Sequence, residues 1–113
     1  MAKVHIGTSG WSYSQWKDNF YPAGIKSDDY LKHYSSVFDA TEINNSFYHL
    51  PSEKSLKKWM EVTPSDFSFA IKASRYITHN KKLKDPEESI DNFFTAIKPI
   101  QKKSGPILFQ LPP

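Results

Sequence analysis

The sequence predicts an α/β fold of the TIM-barrel type, with this chain supplying about the first four strands and three helices, a half-barrel. Two observations carry the prediction. Extended and helical patterns alternate in the order βαβαβαβ, which implies parallel pairing and right-handed crossovers. Each predicted strand also has one strongly apolar face, while the other carries His5, Glu42, Asn44, Lys72 or Gln110. In a barrel the outward faces meet helices, and polar side chains on the inward faces are tolerated near the C-terminal mouth.

The elements follow in order. Residues 3–7 read as a first strand, with Val4 and Ile6 on one face and His5 and Gly7 on the other. The loop GTSGW at 7–11 has two glycines that let the backbone turn or approach a ligand. An aromatic loop with Tyr13, Trp16, Phe20 and Tyr21 leads to Pro22. Ser27 is the expected N-cap of a helix over 28–38, with Tyr30, Leu31, Tyr34, Val37 and Phe38 toward the core.

The stretch ATEINNSFYHLP at 40–51 organises the chain. It begins as a strand, with Thr41 and Ile43 on one face and Glu42 and Asn44 on the other, and ends in turn-forming and aromatic residues. Ser52 caps a second helix over 53–61, buried through Leu56, Trp59 and Met60. Residues 67–73 form a third strand, with Phe67, Phe69 and Ile71 opposite Ser68, Ala70 and Lys72. A long loop over 74–84 follows. Asp85-Pro86-Glu87-Glu88 opens a third helix with a cap, a proline at the first position and a box glutamate. Its apolar stripe is Ile90, Phe93, Phe94 and Ile97, and Pro99 ends or kinks it. Residues 107–111 form a fourth strand, with Leu108 and Gln110 opposite Ile107, Phe109 and Leu111.

Composition excludes several classes of protein. With 113 residues, 38% hydrophobic and 24% charged, the chain fits one globular domain rather than a disordered segment. No apolar run approaches a membrane span, the N-terminus has no signal-peptide core, and there is no cysteine. A cytoplasmic location is the default expectation. The net charge of +3 permits an anionic partner without demanding one.

Four constellations carry chemistry. Glu42 and Lys72 read as a general acid/base pair, or as a lysine holding an anionic substrate. The alternative is a structural ion pair in the barrel interior, with Asn44 and Gln110 as hydrogen-bond partners. Lys72, Arg75, Lys81, Lys82 and Lys84 form a basic run that suits phosphate or a nucleic-acid backbone. A solvated loop is the commoner meaning of such a run, so nucleic acid is not favoured. Arg75, the chain's only arginine, follows a strand and is the expected anion contact. Among the aromatics, Trp11 follows the glycine loop and is preferred over Trp16 as a pocket residue that stacks on a sugar or base. A plug that packs under the loops is the alternative. His5, His49, His79 and Glu42 have ligand chemistry but no recognised metal-ligand spacing, although His49 and His79 both follow strand ends. No metal is assigned, and neither a dinucleotide nor a phosphate-loop motif is present, so the identity of any cofactor is left unknown.

The motifs GTSGW at 7–11, FYP at 20–22, TEINNSFYHLP at 41–51, FAIKASRYITH at 69–79, LKDPEE at 83–88 and GPILFQLPP at 105–113 resemble the YecE-like family, domain of unknown function 72. The match is collinear along nearly the whole chain, so residues 1–113 are read as the N-terminal half of a YecE-like barrel domain. The resemblance implies a complete TIM-type barrel in the family and no settled activity. Site residues from the family's second half are absent here. The functional expectation is a barrel enzyme acting on a small anionic, phosphorylated or sugar-like ligand at the C-terminal mouth. Glu42 and Lys72 are its candidate catalytic residues; Trp11, Asn44, Arg75, His79 and Gln110 are its candidate ligand contacts. The alternatives are a nucleic-acid-binding or nucleic-acid-processing protein, and a fragment with no activity of its own. Four parallel strands leave two edges, so self-association or a missing C-terminal half is expected as partner.

Overall fold

The computed structural model describes residues 3–44, 46 and 49–113. Four parallel strands form one sheet in the order β1 (Gly7–Ser9), β2 (Ala40–Ile43), β3 (Ser68–Lys72) and β4 (Ser104–Leu108). The crossovers carry α1 (Tyr30–Val37), α2 (Glu53–Val62) and α3 (Pro86–Ile97). Sequential strand order with one helix per crossover is the arrangement of a barrel wall.

The alternation in β2 and β3 sets the layers. Thr41, Ile43, Phe69 and Ile71 are buried, whereas Glu42, Ala70 and Lys72 between them are only half-buried. Register pairs Thr41 with Phe69 and Ile43 with Ile71, so the buried side chains form continuous rows. Leu56 of α2 and Phe93 and Ile97 of α3 complete this core. The opposite face of the sheet has no helix over it among the described residues.

Tyr34 ties the first two strands to α1. Its hydroxyl accepts the Thr8 N–H at 2.7 Å and donates to the Ala40 carbonyl at 2.9 Å. Thr41 Oγ1 donates to the Thr8 carbonyl at 2.9 Å. The strands approach so closely that a Cβ at Gly7 would lie 1.8 Å from the Ala40 oxygen. Ser46 performs a similar task at the other seam, donating to the Ile43 carbonyl at 3.0 Å and closely approaching the Lys72 carbonyl.

Several boundaries differ from the sequence reading. The first strand is Gly7–Ser9 rather than 3–7. Before Gly7 the chain is held by Asp39, which accepts the Ile6 N–H at 2.7 Å and pairs with His5 at 3.2 Å. Val4 and Ile6 are consequently 74% and 66% exposed instead of packed. The helix expected over 28–38 starts as a 3-10 turn, Ser27–Asp29, and has no side-chain cap. Ser52 does cap α2, accepting the Ser55 N–H at 3.1 Å. At the other end of α2, Lys103 Nζ donates to the Met60 and Thr63 carbonyls at 2.7 and 2.9 Å. Burial pushes the Lys103 ammonium below its ordinary pKa, while these acceptors favour the charged form.

The loop expected over 74–84 contains a π-helical turn, Tyr76–Asn80, because Ile77 and Thr78 bury themselves beside α3. Asp85 has φ of +45° and makes no capping bond. A capping side chain needs an extended backbone to reach the first turn's N–H groups, so the expected cap is not formed. Pro86 does stand at the start of α3, and the helix passes into a 3-10 segment, Lys98–Lys103, at Pro99. The fourth strand runs Ser104–Leu108 rather than 107–111. Gly105 permits this, because a Cβ there would lie 2.6 Å from Ser68 Oγ.

Replacing Tyr34 with Phe leaves the Thr8 N–H without its acceptor. We expect a loss of about 1–3 kcal/mol, read as a lower urea midpoint. An unchanged midpoint would show that the hydroxyl does not join β1 to β2.

Candidate ligand-binding site

The strands end on a common rim. Gly10 N donates to the Glu42 carbonyl at 2.9 Å, continuing the β1–β2 ladder past Ser9. Ser9 pairs in register with Glu42, and Ser9 Oγ donates to Glu42 Oε1 at 3.1 Å. Gly10 then turns with φ of +78°, a left-handed conformation that glycine adopts without steric cost. The turn brings Trp11 and Tyr13 back over the strand ends, and the Tyr13 hydroxyl donates to the Ser9 carbonyl.

A cleft of about 360 Å³ opens at this rim. Trp11, Tyr13 and Trp59 form its aromatic walls, and Glu42, Asn44, Ser12 and Ser27 supply polar groups. Its size falls within the usual range for small-molecule sites. The Trp11 and Trp59 rings meet edge to face, with centroids 5.0 Å apart and planes at 87°. Trp11 also touches Phe69 of the core at 6.5 Å, so its indole is anchored as well as half-exposed.

The aromatic loop holds Trp11 from below. The Tyr21 hydroxyl donates to the Trp11 carbonyl, and its ring stacks on Tyr30 at 4.1 Å. Burial, with Tyr34 and Tyr30 alongside, raises the Tyr21 hydroxyl pKa well above its ordinary value, which keeps the donor proton in place. Trp16 lies parallel to Tyr34 at 6.4 Å and Phe20 packs on Phe38 at 5.8 Å. Most of this loop is therefore packing against α1, and Trp11 is its member at the rim.

The other candidate residues lie outside this cleft. Lys72 ends β3 on the Glu42 face, two residues beyond Ala70, which pairs with Glu42. Leu108 lies beside Lys72 and is 45% exposed. Arg75 is exposed at the start of the π-helical turn. His79, within that turn, shares a 2.8 Å hydrogen bond between its Nδ1 and Thr78 Oγ1. Gln110 is exposed beyond the end of β4, because that strand stops at Leu108. Lys72, Arg75, His79 and Gln110 do not line the cleft, whereas Trp11, Glu42 and Asn44 do. No group of three His, Cys, Asp or Glu suited to a metal occurs among the described residues.

Sequence reasoning missed Ser9, Ser12, Ser27 and Trp59 at this rim. Ser9 emerges only once the first strand is placed at Gly7–Ser9; Ser27 has the identity of a helix cap, and the helical spacing of Trp59 points to the core. A tryptophan near a strand's C-terminal side is a signal for a rim position only when the helix angle is known.

A sheet of four parallel strands with all its helices on one face and a cleft at the strand C-termini defines part of a (β/α) barrel. Residues 5–113 match the family described as protein of unknown function DUF72, and the chain belongs to that family. It is 33% identical to the UPF0759 protein YunF of Bacillus subtilis (strain 168) over 116 residues, which cover 97% of this chain and 40% of that protein. It is 30% identical to the UPF0759 protein YecE of Escherichia coli (strain K12), covering 96% of this chain and 38% of YecE. The crystal structure of a DUF72 family protein from Thermotoga maritima MSB8 superposes with a TM-score of 0.83 at 37% identity, covering 98% of this chain and 45% of that one. A DUF72 family protein from Enterococcus faecalis V583 shares the fold at 21% identity, with a TM-score of 0.77. The chain thus spans about 40% of the length of the curated relatives it matches. No described helix is long and apolar enough to cross a membrane.

Replacing Tyr21 with Phe removes the donor to the Trp11 carbonyl. We expect a stability loss of about 1 kcal/mol and a shifted or broadened Trp11 indole N–H signal in NMR spectra. An unmoved Trp11 signal would show that Tyr21 does not position the rim.

Proposed function

We propose that the complete barrel, of which this chain forms one half, acts on a small anionic, phosphorylated or sugar-like ligand at its C-terminal mouth. The observation that carries this reading is Glu42 lining a cleft at the strand ends beside Asn44. Barrel enzymes keep their reacting groups at this end of the sheet. In this reading Glu42 transfers a proton or anchors a hydroxyl, and Lys72 on the same sheet face balances negative charge. In this reading Trp11 and Asn44 hold the ligand, and Arg75, His79 and Gln110 contact its outer groups.

The rest of the mouth must come from further β/α units. In this reading those units are of the kind that the longer relatives contain, since the chain spans 40% of YunF.

The ligand reading is tested with inorganic phosphate and glucose 6-phosphate as probes, followed by calorimetry. Replacing Lys72 and Arg75 together by alanine should weaken binding at least about tenfold, because charge-assisted bonds are the strong ones. Replacing Lys81, Lys82 and Lys84 together should change it less than about threefold. Equal loss from the distal triple variant, with affinity falling steeply as salt rises, would instead indicate a nucleic-acid backbone track.

A further inference from the structure

The rim cleft has a chemistry of its own. Its own described lining includes no lysine or arginine; Lys54 and Lys58 border the adjoining cleft that shares Trp11, Ser27 and Trp59. Its polar residues are Glu42, Asn44, Ser12, Ser27 and Tyr13, set against two indoles that meet at nearly a right angle. Such a lining does not suit a phosphoryl group, which needs cations or an array of N–H donors. It does suit a ring bearing many hydroxyls and one apolar face. A carboxylate accepts two neighbouring hydroxyl protons, an amide both donates and accepts, and an indole covers the ring's C–H face.

The geometry points to a subsite for the neutral ring of a saccharide, formed by Trp11, Trp59, Glu42 and Asn44. The proposal deepens the reading of the mouth given above and rests on it. It divides the mouth into a sugar subsite between β1 and β2, with Lys54 and Lys58 beyond its indoles, and a basic side at Lys72 and Arg75.

Two features indicate that the subsite is preformed. Ser9 Oγ holds one Glu42 oxygen, which fixes the carboxylate and leaves Oε2 for a ligand hydroxyl. Trp11 is fixed at its ring by Phe69 and Trp59 and at its backbone by Tyr21. Ordering already done in the free protein need not be repeated on binding. A cationic ligand would also find Glu42 and two indoles here. A quaternary ammonium, which has no N–H donor, would make no use of Asn44, Ser12 or Ser27, which extend the polar side of the cleft.

The test is an NMR titration of the folded chain, combined with the C-terminal half of a longer relative where it does not fold alone, with D-glucose, D-galactose and N-acetyl-D-glucosamine, and with inorganic phosphate and tetramethylammonium as contrasting probes. The expected result is saturable movement of the Trp11 and Trp59 indole N–H and Gly10 amide signals with at least one sugar. The dissociation constant should lie in the range of about 1–100 mM, as for a single small ring, and should be unchanged by salt. Trp11→Ala should weaken binding about tenfold or more, and Trp11→Phe, which keeps an aromatic face, by less than about threefold. Glu42→Gln should weaken it severalfold.

Movement of the same signals by phosphate or tetramethylammonium, with the sugars inert, would overturn the proposal. Phosphate binding that moves only Lys72 and Arg75 signals, with sugars still inert, would overturn the sugar subsite and leave the wider reading of the mouth standing. Silence from every probe would contradict both. Sugar binding that survives Trp11→Ala and Glu42→Gln would show that the sugar sits elsewhere.

Discussion

A parallel sheet needs cover on both faces, and here helices cover only one. The rest of the structure follows from that constraint. Thr41, Ile43, Phe69 and Ile71 spend their apolar or β-branched side chains on the helix layer. Strand alternation then obliges Glu42 and Lys72 to stand on the other face, where a complete barrel has its interior. A carboxylate and an ammonium group tolerate that face because their ends lie near a wet rim rather than deep in the wall. The same constraint explains Leu108, an apolar residue left 45% exposed beside Lys72.

The middle of the sheet was legible in the sequence because strict alternation identifies β2 and β3 and their buried rows. The flanking strands were not read to the residue. Their positions depend on close approaches: Gly7 against the Ala40 carbonyl and Gly105 against Ser68. Such contacts leave no periodic signal; a glycine in an apolar run marks only that something comes close. Asp39 captures the backbone before β1, a side-chain event between residues 33 positions apart. Asp85 has the identity of a cap, but its left-handed backbone forbids the task. Local composition predicted helix starts well where the backbone stayed extended, as at Ser52, and poorly where it did not.

The candidate site was legible in part for the same reason. Trp11 follows β1, Glu42 lies in β2 and Asn44 directly follows it, and they meet in one cleft. Ser9 depended on the true start of β1, and Trp59 on the pitch of α2 across the sheet. Lys72 shares the face of Glu42, so the wall arrangement extends beyond the cleft toward the basic turn. The family to which the chain belongs is described as of unknown function. The chemistry of the rim, rather than kinship, is therefore what proposes a ligand.

The central claim is that this sheet is half of a closed wall and is left with an uncovered face and two edges. Sedimentation velocity on the purified 113-residue chain at micromolar concentration tests it most directly, combined with thermal unfolding of the same sample. The account predicts association that grows with concentration, or a partly unfolded chain that becomes cooperative only when a C-terminal half from a longer relative is added. A monodisperse monomer that unfolds cooperatively by itself would contradict it.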